Sequence, residues 1–401
     1  MAKQALAGVR VLDATQVMAG PYCTMLLGDL GADVIKVEPP AGDSTRRMAG
    51  SKDSEGPAFW GVNRNKRGMA VDLKDPRGQQ IFRDLAARAE VVVENYRPGT
   101  MDKLGLGYED LRPLNPGLVY ASISGQGATG PHASRGGFDL VAQGLSGVMS
   151  VTGEPGRPPV KCGIPITDLG AGLFAVHGIL AAYVHRLRTG EGQHVDTSLL
   201  EAGVALSIWE AAQYFSGGGI PEAMGSAHRM FAPYQAIRCA DGYLNLGAAT
   251  PRTWERFARA ISRPDLLDRP EYASAEDRIR NRHRLEEEIE GVMIAQTRAH
   301  WLNVLEEAGV PCGPILDYEE VFADPQVRAR GMVQEMDHPQ AGRIRVLGPA
   351  VKLSATPARL SRPSPRLGEH TAEVLREIGY EEPRIQALAE SGVVLLGGGG
   401  P

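Results

Sequence analysis

Short runs of β-branched and other apolar residues alternate with amphipathic segments of helical length over the first 200 residues. The strand-like runs are GVRVLDA (8–14), DVIKVE (33–38), EVVVEN (90–95), LVYASIS (118–124) and GQHVDTS (192–198). Between them, PYCTMLLGDLGA (21–32) and DPRGQQIFRDLAARA (75–89) are helical in length, and the second is clearly amphipathic. Parallel strands need crossover connections of this kind. The alternation therefore predicts βαβ units around a mainly parallel sheet, that is, an α/β fold.

The chain changes character after this alternating region, beginning with a predicted helical segment over residues 199–216. SGGGIPEAMGS (216–226) is typical of a connection, and APYQAIRCADGYLNLGA (232–248) indicates a hairpin with an Asp-Gly turn. Helical segments follow between residues 254 and 309, and the amphipathic helix 365–380 is suited to rejoin the first domain. We predict a large Rossmann-like domain of residues 1–200 and 335–401, a linker of residues 201–224, and a small α+β domain of residues 225–334.

Net charge and cysteine usage limit the partners and the compartment. The 401 residues carry a net charge of −5 at pH 7, whereas nucleic-acid binders usually present a strongly basic face. No secretory signal is visible, and the longest apolar run, 169–184, is interrupted by His177 and is too short to span a membrane. The cysteines form no C-x-x-C pair: Cys23, Cys162, Cys239 and Cys312. We expect a cytoplasmic protein with reduced thiols and without nucleic-acid or membrane partners.

The common nucleotide, metal and nucleophile motifs are incomplete or missing from the sequence. GQGATG (125–130) follows a strand, but the next residues, PHASRGGFDL, do not start the helix that a dinucleotide site requires. There is no G-x-x-x-x-G-K-[ST], H-E-x-x-H or G-x-S-x-G motif, and the nine histidines are scattered. The sequence therefore predicts no ATP site, no metal site and no serine nucleophile.

The stretch KCGIPITDLGAGLFAVHGILAA (161–182) contains a single acidic residue, Asp168, in front of an apolar run typical of a buried helix. One interpretation is that Asp168 caps this helix, because aspartate is a preferred N-cap residue. The other is that the helix dipole and apolar surroundings prepare its carboxylate as a nucleophile toward an activated acyl group. The spacing alone leaves both interpretations open.

The chain resembles the class III CoA-transferases, a family that includes formyl-CoA, carnitine and α-methylacyl-CoA enzymes. The motifs that carry this resemblance follow one another along nearly the whole chain. They are GVRVLDATQVMAGPYCTMLLGDLGADVIKVEPPAGDSTR (8–46), NRNKRGMAVDLKDPRG (63–78), VVENYRPGTMDKLGLGYEDL (92–111), SISGQGATGPHASRGGFDLVAQGLSG (122–147), the stretch 161–182, TGEGQHVDTSLLEA (189–202), APYQAIRCADG (232–242) and PRLGEHTAEVLREIGY (365–380). The resemblance implies a homodimer of two interlocked, ring-like protomers.

The resemblance also implies a covalent mechanism. The family has its nucleophile at the position of Asp168, where an aspartyl anhydride and then an aspartyl-CoA thioester form. Coenzyme A is then a substrate, and no tightly bound cofactor is expected. The implied CoA contacts are Val17, Met18, Lys36, Pro39, Lys74, Asn95, Tyr96, Lys103 and Leu104, with Arg97 beside them.

Four positions separate the branches of the family. Met18 stands where the formyl-CoA enzyme has glutamine, and HRMFAPYQ (228–235) replaces that enzyme's glycine-rich loop. Phe138 stands where the racemases have a histidine base, and Gln235 stands where they have glutamate. A racemase needs a base on each face of the substrate, and neither phenylalanine nor glutamine is one. Asp139, after Phe138, is expected to organise the site.

Arginine side chains suggest the kind of acceptor acid. A dicarboxylate needs a second cationic anchor, and the candidates are Arg46, Arg47, Arg135 and Arg229, with His228 facing the same pocket. We therefore expect a CoA-transferase that uses a succinyl-CoA-type donor and a small dicarboxylic acceptor. The alternatives are an α-methylacyl-CoA racemase and a CoA-binding homologue without activity.

Overall fold

The chain, seen in a computed structural model that describes residues 4–48 and 56–397, divides into two units. The first unit comprises residues 1–148, 161–216 and 325–401, and the second comprises residues 149–160 and 217–324. The first unit is therefore built from three separate stretches of sequence.

The strands, in chain order, are β1 (Arg10–Ala14), β2 (Asp33–Glu38), β3 (Lys66–Val71), β4 (Val91–Glu94), β5 (Val119–Ser124), β6 (His194–Ser198), β7 (Tyr234–Cys239), β8 (Gly242–Gly247), β9 (Cys312–Pro314), β10 (Val333–His338), β11 (Gly342–Leu347) and β12 (Val394–Leu395).

The α-helices are α1 (Ala19–Asp29), α2 (Pro57–Asn63), α3 (Pro76–Ala86), α4 (Thr100–Lys103), α5 (Tyr108–Leu111), α6 (Asp139–Leu145), α7 (Val148–Val151), α8 (Ile166–Thr189), α9 (Leu199–Leu206), α10 (Ile208–Phe215), α11 (Pro251–Ala260), α12 (Ala275–Arg280), α13 (Arg282–Met293), α14 (Arg298–Glu307), α15 (Tyr318–Ala323), α16 (Pro325–Ala329), α17 (Thr371–Glu377) and α18 (Glu382–Glu390).

The sheet of the first unit has the order β12-β3-β2-β1-β4-β5-β6 within the described residues. All its pairings are parallel except that of β12 with β3. The chain extends the sheet from β1 to β3 on one side and from β4 to β6 on the other, so the strand order reverses between β1 and β4. In open α/β sheets, ligands bind at the carboxyl ends of the strands next to such a reversal. The predicted α/β fold with a mainly parallel sheet is confirmed.

Helices cover both faces of this sheet because side chains alternate between the faces along each strand. Leu12 and Val92 belong to the core beneath α3, α17 and α18. Val11 and Val91 belong to the opposite core, beneath α1 and α8. The amphipathic helices predicted over 75–89 and 365–380 correspond to α3 and α17, which supply Phe82 and Leu375 to the first of these cores.

Helix α8 is longer than the apolar run that the sequence showed. Its length and composition would suffice to cross a membrane, a criterion that core helices of α/β domains also meet. Here Ala171, Ala175 and Ile179 are buried against the sheet within one hydrophobic core. The helix ends at Gly190, whose φ of 82° provides the left-handed C-cap.

The second unit has its own hydrophobic core and its own sheet. Strands β7, β8 and β9 pair antiparallel, and the Asp-Gly turn predicted by the sequence joins β7 to β8. Trp254, Phe257, Leu285 and Trp301 from helices α11, α13 and α14 pack against this sheet. The predicted hairpin is confirmed.

The helix predicted over residues 199–216 is confirmed as two helices, α9 and α10, so the first part of the predicted linker of residues 201–224 is helical. The hairpin β10–β11 was not predicted, because most of its residues are exposed or half-buried and its strands lack the apolar runs that mark the buried strands.

A buried charge cluster joins the first three strands of the sheet. Lys66 Nζ lies 2.8 Å from Asp13 Oδ2, and Lys36 Nζ lies 3.2 Å from Asp43 Oδ2, with all four side chains inaccessible to solvent. Thr24 on α1 donates a 2.7 Å hydrogen bond to Asp13. Burial alone would raise the pKa of Asp13, but the two ammonium groups outweigh it and hold this pKa below its usual value. We call these four charged residues the buried charge cluster.

Replacing Lys66 with alanine should destabilise the protein by about 3–5 kcal/mol, because the Asp13 carboxylate is then buried without its closest counter-ion. Urea unfolding of the full chain, followed by circular dichroism, measures the effect. Lys352 is an exposed control, and its alanine variant should differ from wild type by less than about 0.5 kcal/mol. Equal effects of the two substitutions would contradict this assignment.

Candidate active site

Asp168 lies inside the first turn of α8 and does not cap the helix. The N-cap residue is Pro165, which has no capping side chain, and Ile166 is the first helical residue. The interpretation of Asp168 as an N-cap is therefore wrong.

Asp139, rather than Asp168, accepts the hydrogen bond from a free backbone N–H group at the start of α8. Its Oδ1 accepts hydrogen bonds from Thr167 N at 3.0 Å and from Thr167 Oγ1 at 2.7 Å. Its Oδ2 accepts a 2.7 Å bond from Gln143 Nε2, and Gln143 Oε1 accepts a 2.8 Å bond from Cys162 N. Asp139 thereby holds both the start of α8 and, through Gln143, the loop that leads into it. The predicted organising role of Asp139 agrees with these contacts.

The Asp168 carboxylate is half-buried and receives no hydrogen bond from any group in residues 4–48 or 56–397. Burial raises its pKa to about 6, and the negative charge of Asp139 adds to this shift. Both effects oppose the helix dipole, which favours the ionised form at this end. At neutral pH the group is therefore ionised but weakly stabilised, which is the condition of a reactive nucleophile.

Close contact between two helices brings the first part of α8 against the start of α1. A Cβ atom at Gly172 would lie 2.8 Å from Ala19 O, so glycine is required for α8 to approach the start of α1 this closely. Asp168 is one helical turn before Gly172 and on the same face. It therefore lies on the face of α8 that packs against the start of α1.

The loop between β1 and α1 is held in a strained conformation. Val17 has a φ of 67°, which is unusual for a β-branched residue. Lys36 Nζ donates to Thr15 O at 3.0 Å, and Val17 N donates to Asp43 Oδ2 at 3.3 Å. Met18, predicted to lie near the acyl group, is the half-buried N-cap residue of α1.

Asn95 connects this loop to the end of β4. Its Oδ1 accepts from Gln16 N, and its Nδ2 donates to Gln16 O, both at 2.8 Å. Gln16 Nε2 also donates to Tyr96 Oη at 3.2 Å. The loops after β1 and β4, the two strands at the reversal of strand order, are therefore joined directly.

The other predicted CoA contacts also follow the carboxyl ends of strands, with one exception. The basic side chains of Lys74, Arg97 and Lys103 are exposed, and Pro39 and Leu104 are half-buried. Lys36 is different, because its ammonium group is inaccessible and bonded to Thr15 and Asp43. The prediction that Lys36 contacts CoA is therefore wrong, and Lys36 instead positions the loop that carries Val17.

The structure also contradicts the prediction that Arg46 anchors a substrate. Its guanidinium group makes 2.6 and 2.7 Å bonds to Glu38, donates to Pro365 O, and lies over the Phe59 ring. These contacts commit Arg46 to the fold. Arg47 and Arg135 are exposed and are compatible with a binding role.

Three predicted residues belong to the second unit. His228 packs against the rings of Phe231 and Tyr234, and its Nδ1 accepts from Met230 N. Arg229 and the buried Gln235 line a cavity within this unit.

Sequence reasoning missed Glu94, a buried carboxyl group beneath the loop that carries Tyr96. Its Oε2 accepts from Tyr96 N at 2.8 Å, and it lines a cavity of about 230 Å³ together with Tyr108, Tyr120 and His194. Burial raises the pKa of Glu94 to about 7. No local signal distinguishes Glu94 from an ordinary strand-end glutamate, because its burial depends on residues distant in sequence.

Comparison with known proteins agrees with this geometry over both units. The profile described as CoA-transferase family III matches residues 6–371. Succinyl-CoA:glutarate CoA-transferase of Mus musculus is 43% identical over 97% of this chain and 90% of that protein. Succinyl-CoA:mesaconate CoA-transferase of Haloarcula hispanica is 42% identical over 94% of this chain and 96% of that protein. The crystal structure of a CaiB/BaiF family protein from Brucella suis has a TM-score of 0.83 at 36% identity, covering 94% of this chain and 100% of that one.

The rate at which Asp168 is acylated by a CoA thioester should fall as the pH drops below about 6, because its protonated carboxyl group is a poor nucleophile. Asp139→Asn should move this midpoint to lower pH, since it removes a neighbouring negative charge while keeping an acceptor for Thr167. Quenched mass spectrometry between pH 4.5 and 8 gives the profile. Glu191→Gln, an exposed control, should leave the midpoint unchanged, and an unchanged midpoint in Asp139→Asn would contradict the electrostatic argument.

Proposed function

Because the chain belongs to the class III CoA-transferase family, we propose that it transfers CoA from succinyl-CoA, or a closely similar acyl-CoA, to a small dicarboxylic acid through covalent intermediates on Asp168. The observation that carries this proposal is the Asp168 carboxylate: accessible, unbonded within the described residues, and raised in pKa at the start of α8. The relatives that act on succinyl-CoA with glutarate or mesaconate support the choice of substrates.

The reaction consists of four acyl exchanges. The Asp168 carboxylate attacks the thioester carbonyl, forming a mixed anhydride and releasing CoA thiolate. The thiolate attacks the Asp168 carbonyl, releasing the donor acid and leaving an aspartyl-CoA thioester. The acceptor carboxylate then attacks this thioester, and the released thiolate attacks the acceptor carbonyl, which yields the new acyl-CoA and restores Asp168. Each step exchanges one activated acyl bond for another, so we expect neither ATP nor a tightly bound cofactor.

We assign CoA binding to the loops at the carboxyl edge of the sheet. Val17 and Asn95 are held in place by bonds between loops. The exposed Lys74, Arg97 and Lys103 suit the phosphates of CoA. For the substrate carboxylates we retain Arg135, His228 and Arg229, while Met18, Phe138 and Gln235 remain assigned to the acyl site.

We further propose that the protein is an interlocked homodimer. Large apolar side chains of the first unit are exposed on and beside α6 and α10, including Phe138 (77%), Ile208 (70%), Trp209 (57%) and Phe215 (82%). Exposed apolar surface of this kind marks an interface in water. The interlocked arrangement itself is the one that the family resemblance implies.

We also propose that the enzyme acts in the cytoplasm without nucleic-acid or membrane partners. All four cysteines are free thiols, as a reducing compartment favours. The net charge of −5 supports the expectation about nucleic acid.

Mixing the protein with succinyl-CoA should add either a succinyl or a CoA group to Asp168, detected by intact-protein mass spectrometry and removed by hydroxylamine. Asp168→Ala should show no adduct. Asp168→Asn tests whether the negative charge is required, because asparagine has nearly the same shape as aspartate. Asp196→Ala, an exposed control, should label like wild type. An adduct that persists in Asp168→Ala, or none in wild type, would contradict the proposed mechanism.

Light scattering after size exclusion should give twice the mass of one chain. Phe215→Asp combined with Trp209→Asp should reduce the dimer fraction, because both substitutions place charge on an apolar interface. Leu114→Asp changes another exposed apolar residue outside these helices and should leave the mass unchanged. A monomeric wild-type protein would refute the dimer.

A further inference from the structure

A cavity of about 890 Å³ lies wholly within the second unit. Residues 222–227 and Arg229 form part of its wall, together with Gln235 on β7 and the residues that begin α13. Two arginine side chains, Arg229 and Arg282, face it without a carboxylate partner.

Arg282 is only 8% exposed, yet its guanidinium group makes only weak contacts. Nη2 lies 3.4 Å from Arg229 O, and Nη1 lies 3.8 Å from Met224 Sδ. No carboxylate oxygen in residues 4–48 or 56–397 lies within 4 Å of it. A buried cation without a counter-ion is costly, and proteins normally avoid it.

Arg229 adds a second positive charge beside Arg282. Its Nη2 donates a 2.6 Å bond to Glu222 O, whereas its Nε is buried and has no hydrogen-bond partner in the described structure. Burial, and to a lesser degree the charge of Arg229, lower the pKa of Arg282, and the more distant charge of Glu286 offsets this only in part. The two guanidinium groups therefore repel one another, and an anion between them would relieve the repulsion.

Arg278, in the same unit, is a buried arginine with a purely structural role, and its guanidinium group has hydrogen-bond partners. It is 2% exposed, donates 3.0 Å bonds to Ala232 O and Tyr272 O, and lies 5.2 Å from the centre of the Trp254 ring. Arg282 is buried to a similar degree without comparable bonds, so structural burial does not account for its position.

Four glutamates also line the cavity, and their placement leaves room for an anion. Glu154 and Glu222 are exposed, so solvent screens their charges. Glu290 accepts a 2.9 Å bond from Arg238 N, and Glu286 lies 3.9 Å from His283 Nδ1. None of the four lies within 4 Å of either guanidinium group among the residues that the structure describes.

We propose that Arg282 and Arg229 form a carboxylate-binding site, and that its ligand is one carboxylate of a small dicarboxylic acid. Planar guanidinium groups bind carboxylates with paired hydrogen bonds, and the amino end of α13 adds a favourable dipole. The identity of the anion rests on the proposed function, whereas the site itself rests on the two arginines. Arg282 was not singled out by the sequence, because nothing local indicates that it lacks a counter-ion.

The test compares two five-carbon acids, glutarate and valerate, that differ in one terminal carboxylate. Isothermal titration of the full-length protein without CoA should show glutarate binding at least tenfold more tightly than valerate. Arg282→Gln should weaken glutarate binding at least tenfold, and Arg282→Lys should weaken it less. Arg280→Gln, which changes a 72% exposed side chain on α12, should bind like wild type.

Catalysis provides an independent readout. Arg282→Gln should raise the KM for glutarate at least tenfold, with a smaller change in kcat and little change in the KM for valerate. Arg229→Gln, in the loop before β7, provides a second variant if circular dichroism shows that Arg282→Gln is misfolded. Either folded variant with unchanged glutarate binding would overturn the proposal, as would a wild-type protein that does not discriminate the two acids.

The phosphates of CoA are the other source of a suitable anion, and 3′,5′-ADP is the probe for them. If Arg282→Gln loses 3′,5′-ADP binding but keeps glutarate binding, the carboxylate assignment is overturned. Failure of the proposed function is recognised separately, by the absence of an Asp168 adduct with succinyl-CoA in wild type. Glutarate binding does not depend on that adduct, so the two results are distinguishable.

Discussion

The carboxyl edge of the sheet depends on the buried charge cluster of Asp13, Lys66, Lys36 and Asp43. These side chains lie where no water can solvate them, so each must find its partner inside the protein. In doing so they join β1, β2 and β3 to the segment after β2. Lys36 and Asp43 also bond the backbone that leads to Val17. A strained residue persists only where its surroundings determine its conformation, and the cluster supplies those surroundings.

Two acids at the start of α8, Asp139 and Asp168, have different roles. Asp139 is bonded to Thr167 and Gln143 and is fixed as an acceptor. Asp168 receives no such bond within the described residues and keeps its lone pairs for substrate. The fixed charge of Asp139 also makes ionisation of Asp168 less favourable. One side chain therefore both builds the helix end and tunes the group that reacts there.

The pattern of apolar runs was sufficient to predict β1, β2, β4, β5 and β6 and the parallel sheet, because burial leaves a periodic signal in sequence. It could not identify the partners of charged residues. Lys36 and Arg46 look like surface charges in the sequence, yet both are paired inside the fold. The capping of α8 by Asp139 links positions 28 residues apart. Local spacing left Asp168 open as either a cap or a nucleophile, and the family resemblance favoured the nucleophile.

The antiparallel strand β12 has a consequence for biosynthesis. It pairs with β3, whereas β3 is made more than three hundred residues earlier, and the second unit is translated between them. During translation the edge of β3 remains open while a complete domain with its own core emerges. Open strand edges pair with other chains, and domains tend to fold as they are made. The nascent first unit is therefore exposed to strand exchange at β3 until β12 leaves the ribosome.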